Sequence, residues 1–556
     1  MNDAPDRHHS NVVQAFKPAG VKECGLVLLA SALLTAALTY PMVFKLGHVG
    51  RIDNGDGQLS IWNVAWVART LVVDPLHVFD ANIFYPHRGT LAYSENNLGA
   101  GAMAVPVYWA TRNPYAAHNF SMLLAFILSF TGTYYLVRYL TGDRRAAAIS
   151  AIGFAFCPFL FAHTAHIQLL MTAGLPFSLL AFHRMADRPG VGRGAALGAA
   201  MAAQAICCGY YGVFVCLMVG FAILVVAATR RLWTDRGYWI AIAVAAVVAV
   251  LLVTPAFLPY AALQRDGGFR RELKDAVQYS ANWSDYLASS SYAHAWMLGH
   301  LPAWTEVSFP GFVIVLFGVA GAWIALRDRR RELLFIYGGL TLLAFWASFG
   351  PTGVLYSALY KVVPMFTWMR APARFGLIVG FGLSVFAGVA ISAWLRKVQR
   401  PGMVTAVLAI VTAGELAVPL RLPEVPPVAP VYLTLATLPR APLIETPFFY
   451  PQVGLFQHTK YMLASTAHWM PMVNGYSDYI PPDFYEHVML LAPFPSRDAF
   501  KILEPNGVRY ALLHMNGYNT ENRNDVLTRL KEFEPYLRPL YMDETTRLYE
   551  IVGFPP

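Results

Sequence analysis

The chain has 556 residues, of which 56% are hydrophobic and only 13% charged, with a formal net charge of +9 at pH 7. A soluble domain carries about 25% charged residues, so half that fraction, together with apolar runs of membrane-spanning length, excludes a soluble globular protein and identifies a polytopic membrane protein. The excess of basic residues is not a nucleic-acid signature, because it sits in short clusters between apolar runs, the pattern that sets membrane topology.

In chain order, residues 1–23 form a polar N-terminal tail, and the run that follows lacks an A-x-A cleavage site, so it reads as a retained first span. Apolar stretches of bilayer-crossing length occur near 24–43, 118–140, 146–162, 167–185, 193–209, 211–229, 237–259, 307–326, 332–350, 373–395 and 402–420, about eleven in all. Basic clusters fall at 142–146, 183–193, 230–237, 327–332 and 396–402, whereas the turns HTAH (163–166) and CCGYYG (207–212) carry no Lys or Arg. The positive-inside rule then puts the N-terminus in the cytoplasm. With an odd number of spans, the segment 44–117, the loop 260–306 and the tail 421–556 face outward. The expected fold is mainly α: a membrane domain over 24–420 and an outward α/β domain beyond it.

The five cysteines lie in or beside apolar segments, and neither their spacing nor the vicinal pair Cys207–Cys208 forms a CxxC metal or redox motif. The stretch RIDNGDGQLSIWNVAW (51–66) places Asp53 and Asp56 among glycines directly after the first span. Asp and Gly are ordinary turn residues, and an acid before a helix can also cap it. Ile61, Trp62, Ala65, Trp66 and Leu71 fit one face of an amphipathic helix lying in the interface plane, beginning near Gln58. Further along this outward segment, Glu95 in TLAYSENNLG is a second acid in a comparable setting, or a solvated loop residue.

His163 and His166, three residues apart, would share a helix face, able to bind a metal or phosphate or simply sitting at the interface. Tyr210 and Tyr211 could stack on a sugar or anchor in the aromatic belt. Arg270, Arg271 and Lys274 form a cationic cluster in FRRELK. Arg370 and Arg374, in WMRAPARFG, open the tenth span from the outward side, where the positive-inside rule disfavours them, so they ask for an anionic partner or snorkel to headgroups. The tail has normal polarity. It reads as a strand in 441–449, a helix then a strand in 496–515, a helix in 522–534 and a hairpin in 537–552. Within it, STAHWMPMVNGYSDYIPP holds His468, Trp469, Asn474, Tyr476 and Asp478, a mixture that suits carbohydrate contact or a segment docking the tail onto the membrane domain.

This layout resembles the GT-C superfamily of polytopic glycosyltransferases, which take sugars from polyprenyl-phosphate-linked donors. The GDG–W–W stretch, DPLHVFDANIFYPHRGTLAYSE, PMFTWMRAPARFG and HWMPMVNGYS are also similar to stretches of bacterial relatives. The resemblance implies a bacterial cytoplasmic-membrane enzyme that transfers a sugar to a glycan, lipid or protein acceptor on the outer side. In that family the acid of the first outward loop serves as base or orienting group, or helps hold a divalent metal. Here the position falls on Asp56, with Asp53 as runner-up. A carboxylate beside a low-dielectric wall can be raised toward a useful base, and Gly55 and Gly57 permit close substrate approach. A divalent cation, Mg²⁺ or Mn²⁺, would draw on Asp56, Glu95 or His166. The donor phosphate would fall to Arg370 and Arg374, with Arg270, Arg271 and Lys274 as a second cluster. His163, His166, Tyr210, Tyr211, His468 and Tyr476 are candidates for substrate or sugar contact. Two other readings belong to different classes: a non-catalytic envelope-assembly or binding protein on the same scaffold, and a lipid or glycan transporter. Paired repeats with matching broken helices, which would favour the transporter, are not evident in the sequence.

Overall fold

The computed structural model describes residues 20–268 and 270–556. The expected N-terminal tail lies outside the described residues up to residue 19, and its last residues already belong to the first helix, α1 (Val21–Leu38). Leu26, Leu28, Leu29 and Leu33 of α1 are exposed, as a lipid-facing helix requires, while its other side packs on α4. Next come α2 (Gly55–Val73), α3 (Leu98–Thr111) and α4 (Pro114–Thr141). The chain then forms α5 (Arg144–Ala155) and α6 (Pro158–Ala162), separated at Pro158, and α7 (Ile167–Leu170) and α8 (Gly174–Asp187). A close trio follows, α9 (Val191–Cys207), α10 (Gly209–Thr229) and α11 (Arg236–Gly267). Four more stretches complete the bundle: Phe312–Arg327, the helical run ending in Gly339–Ser348, Gly376–Leu395 and Pro401–Glu415.

All eleven apolar stretches are helical, but they are not eleven long helices. Among the described residues, seven helical segments are long and apolar enough to cross a bilayer, and Phe312–Arg327 and Pro401–Glu415 are shorter apolar helices. Helix α9 owes its place to close packing instead of length. A Cβ on Gly194 or Gly198 would lie 2.2 or 2.3 Å from the carbonyl oxygens of Ala241 and Ala245, so this small-xxx-small pair lets α9 meet the backbone of α11.

At one end of the bundle the basic junctions are tied into ion pairs. Glu23 binds Arg138 at 2.9 Å and Arg144 at 2.7 Å, and Arg230 binds Asp187 at 2.8 Å and Glu332 at 2.6 Å. At the opposite end lie the segment between α1 and α4, the loop after α11, and the tail. The tail holds a four-stranded sheet in the order β1-β2-β4-β3, with β1 (Leu443–Thr446), β2 (Tyr510–His514), β3 (Leu537–Met542) and β4 (Thr546–Ile551). β1 runs parallel to β2, with Leu443 opposite Tyr510, and the remaining pairs are antiparallel. Each strand lies inside a segment read as strand or hairpin in the sequence. The tail does not stand apart, because one continuous apolar core runs from the bundle through α2 into β1, β2 and β4.

Helix α2 corrects an expectation. Every residue from Ser60 to Ala68 is buried, including both tryptophans, so α2 does not lie in the interface with one wet face. It is enclosed by α3, α4 and the tail helix Thr459–Ala464. Its Trp indoles are satisfied internally, Trp62 donating to Asn82 Oδ1 at 3.1 Å and Trp66 to the Val78 carbonyl at 2.8 Å. The apolar helix with an exposed side in this segment is α3. A one-face pattern specifies one apolar contact, and here the polar side of α2 is covered too, by a segment remote in sequence.

Asn82 is the pin of that cover. It is 4% exposed, accepts from Trp62 and donates to Ser465 Oγ and to the Met470 carbonyl, both at 3.0 Å. Asn82→Ala strands the Trp62 indole and the Met470 carbonyl, a loss of roughly 1–3 kcal/mol per orphaned buried group. It should lower the apparent melting temperature in detergent well below that of wild type; an unchanged melting curve would show that the pin is dispensable.

Candidate functional site

Asp56 stands in the first turn of α2, and the helix is capped by its neighbour: Asn54 Oδ1 accepts the Gly57 N–H at 2.8 Å. The capping role open to Asp56 in the sequence is therefore filled, and its carboxylate is free for other work. Gly57 permits this start, since a Cβ there would sit 2.0 Å from the Arg51 carbonyl. Asp53 turns back to Arg51 at 3.3 Å and belongs to the turn before the helix.

Across from Asp56 is His166, with Nε2 3.5 Å from Asp56 Oδ2. His163 and His166 do not share a helix face as their spacing suggested. They occupy the break between α6 and α7, with ring centroids 6.5 Å apart, and each meets a different carboxylate. His163 Nε2 lies 3.3 Å from Glu306, while its Nδ1 bonds the Phe159 carbonyl at 2.8 Å. Burial lowers the His166 imidazole to about 4 although Asp56 pulls it upward, so the ring is neutral near pH 7. For Glu306, burial alone would raise the carboxyl, but the His163 hydrogen bond and the charges of His163 and Arg374 bring it below the ordinary range. Glu306 escaped the sequence reading because its loop was read for its cations; an acid flanked by TrpThr and ValSerPhe at the mouth of a span was the available signal.

Arg374 reaches into the same space. Its guanidinium lies 4.4 Å over the Tyr210 ring, and the Tyr210 hydroxyl accepts the Ala371 N–H at 2.6 Å. Tyr210 thus positions the arginine segment, and the ring face that was to stack on a sugar is covered. Tyr211 is fully buried, donates to the Leu169 carbonyl at 3.1 Å, and is core rather than a sugar contact. Glu95 accepts the N–H groups of Gly209 and Tyr210 at 3.3 and 3.4 Å. Burial pushes its carboxyl up, against the pull of those two donors and Arg374.

Arg370 lies 5.1 Å from the Tyr279 ring centroid, and its guanidinium meets Asp478 at 3.2 Å. Arg271 meets the same Asp478 oxygen at 3.4 Å. Of the second cationic cluster only Arg271 joins the site: Arg270 is exposed, and Lys274 is 77% exposed and paired with Glu272 at 2.6 Å. From the tail, Tyr476 lies near enough to Asp56 and Asp478 that, after burial, their charges raise its hydroxyl further, with Arg370 opposing. His468 does not join them. It stacks on Tyr432 at 5.9 Å inside the tail, where burial lowers it to about 3. Its neighbour Trp469 packs on Trp66 at 5.6 Å, so this part of the segment docks the tail.

A divalent cation finds no ready donor set. Among the described residues no three His, Cys, Asp or Glu side chains converge closely enough to ligate one, and the Glu95 carboxylate is taken up by the N–H groups at the start of α10. The assembled groups are instead two carboxylate–imidazole pairs facing a set of guanidiniums, suited to moving a proton on one side and holding an anion on the other.

No protein-family model matches the chain, and no curated protein matches it. Among solved structures, two classes of a mutant of arabinofuranosyltransferase AftD from mycobacteria match over 97% of this chain with TM-scores of 0.53 and 0.54, at 15% and 14% identity. The chain spans only 42% of the length of those AftD chains. ArnT from Cupriavidus metallidurans in the apo state matches over 95% of this chain and 97% of its own, at 14% identity and a TM-score of 0.47. The chain therefore has the fold of the matching part of AftD.

Proposed function

We propose that the chain is a glycosyltransferase of the bacterial cytoplasmic membrane that moves a sugar from a polyprenyl-phosphate-linked donor to a hydroxyl of a glycan, lipid or protein acceptor on the outer side. The observation that carries this reading is the Asp56–His166 pair within electrostatic reach of Arg374, with Asp56 and Arg370 both acting on Tyr476, on a fold that AftD shares. Asp56 accepts the acceptor hydroxyl proton as the oxygen attacks the anomeric carbon. The bond from that carbon to the donor phosphate breaks, and the phosphate leaves with one more negative charge. Fixed cations stabilise charge where it develops, which is where such sites gain most. Arg370 and Arg374, held by Tyr279, Tyr210 and the Ala371 N–H, supply that field. Neutral His166 orients the Asp56 carboxylate, and Tyr476 borders it. The gathering of ion-paired basic junctions at the other end supports an orientation with that end in the cytoplasm and the tail outside.

Asp56→Asn tests the base. Because Asn54 caps α2, the variant should fold, losing at most the roughly 0.3–1 kcal/mol of a charge in a helix's first turn. Sugar transfer from polyprenyl-linked donors should fall on the order of 10²–10⁴-fold; full activity would end the assignment.

A pH profile tests His166. Its ring is neutral above about 4, so activity should show no His166-linked loss as pH falls from 8 toward 5.5. An inflection near 6.5 that vanishes in His166→Gln would contradict the burial that keeps it neutral.

Cysteines at Gly190 and Glu521, labelled with a membrane-impermeant maleimide on intact cells, should differ, with only Glu521→Cys reacting. Reaction of both would overturn the proposed orientation.

A further inference from the structure

Arg271 and Arg370 converge on a single oxygen of Asp478, at 3.4 and 3.2 Å. The two cations come from separate segments, and each is fixed by its backbone. The Arg271 N–H donates to the Thr367 carbonyl at 2.8 Å and the Arg271 carbonyl accepts from Tyr360 at 2.8 Å, while next to Arg370 the Ala371 N–H is held by Tyr210. Asp478 is anchored on both sides as well. Tyr479 N–H bonds the Tyr93 carbonyl at 2.8 Å with its ring against Tyr93 at 5.0 Å, and Asn474 bonds the backbone of Glu445. The backbone around the three charges is therefore set, and the Asp478 side chain, 42% exposed, is the part able to rotate.

The fit of the carboxylate is poor in a specific way. Good charge-assisted bonds between a guanidinium and a carboxylate run at about 2.7–2.9 Å and are commonly bidentate. Here one oxygen is shared at longer range, and with the carboxylate 42% exposed the pairing is screened by solvent and holds weakly. Two guanidiniums thus share one carboxylate oxygen, and neither gains a bidentate partner in Asp478. A tetrahedral phosphate ester offers two or three non-bridging oxygens, enough to engage each guanidinium separately.

We propose that Arg271 and Arg370 form one phosphate-ester site and that Asp478 is its internal occupant, displaced by side-chain rotation when the ester arrives. Asp478 then acts as a built-in competitor that sets how strongly an anion must bind to enter. The identity of that ester as the donor's phosphate rests on the reading proposed above; the exchange itself does not.

The test uses the full chain in dodecyl maltoside and measures binding of dodecyl phosphate, and separately of inorganic phosphate, by calorimetry. Removing the competitor in Asp478→Asn, and in Asp478→Ala as a second variant, should tighten dodecyl phosphate binding roughly 3- to 10-fold, the scale set by loss of a weak, solvent-screened pair. Arg271→Ala or Arg370→Ala should abolish that gain. Tightening for dodecyl phosphate alone assigns a lipid phosphate, and equal tightening for inorganic phosphate assigns a soluble one; both support the exchange. If neither Asp478 variant binds dodecyl phosphate more tightly than wild type, or if no binding depends on the two arginines, the proposal is overturned. Normal sugar transfer without an Asp478 effect would sink only this inference. An Asp478 effect in a chain that transfers no sugar would sink only the proposed activity.

Discussion

Backbone amides and carbonyls at the surface of a membrane domain must find partners, and in this chain the segment after α2 finds them in the tail. Phe84 and Tyr85 donate to the carbonyls of Asn474 and Met472 at 3.1 and 2.8 Å, and Met472 donates back to Asn82 at 2.9 Å. Unpaired, these groups would each cost free energy comparable to a lost hydrogen bond. That short ladder fixes the rest. It lays Trp469 on Trp66 and lets Thr459 bond Gln58 at 2.7 Å, so α2 is roofed within two turns of Asp56. It also brings Tyr476 and Asp478, a few residues downstream, over the acid and the arginines.

The site is assembled from breaks in regular structure. The turn between α6 and α7 releases two histidines from one helix face and aims them at carboxylates of different segments. Pro372 similarly interrupts the approach to the helix Gly376–Leu395, separating Arg370, which meets the tail, from Arg374, which lies over Tyr210. Charges at such breaks keep access to water while standing beside an apolar wall, where their mutual interactions exceed those in bulk solvent.

The two ends of the bundle use charge differently. At the basic end Glu23 is 8% exposed, yet two arginines and the Tyr134 hydroxyl satisfy it, so the buried charge is neutralised in place. At the site end the contacts are longer and the groups more exposed, with Asp56 54% and Arg370 35% exposed. The first arrangement suits a fixed support, and the second leaves room for a substrate's charge.

The helices, the strand segments of the tail and the candidacy of Asp56, His166, Arg370 and Arg374 were legible in the sequence, because each depends on local pattern. Apolar length, turn signals, glycines beside an acid and arginines on a disfavoured side are all properties of neighbouring residues. Asp53, Tyr211 and His468 carried similar local marks, and only their tertiary partners, Arg51, the Leu169 carbonyl and Tyr432, separate them from the proposed site. Glu306 and Asp478 gave weak local signals and matter because of what lies opposite. The burial of α2 was out of reach for the same reason: its second face is covered by residues some 400 positions away. A sequence states which groups a chain carries and which side of a helix is apolar; which groups share a low-dielectric space is decided by contacts between distant segments, and it is those contacts that set charge, access and chemistry.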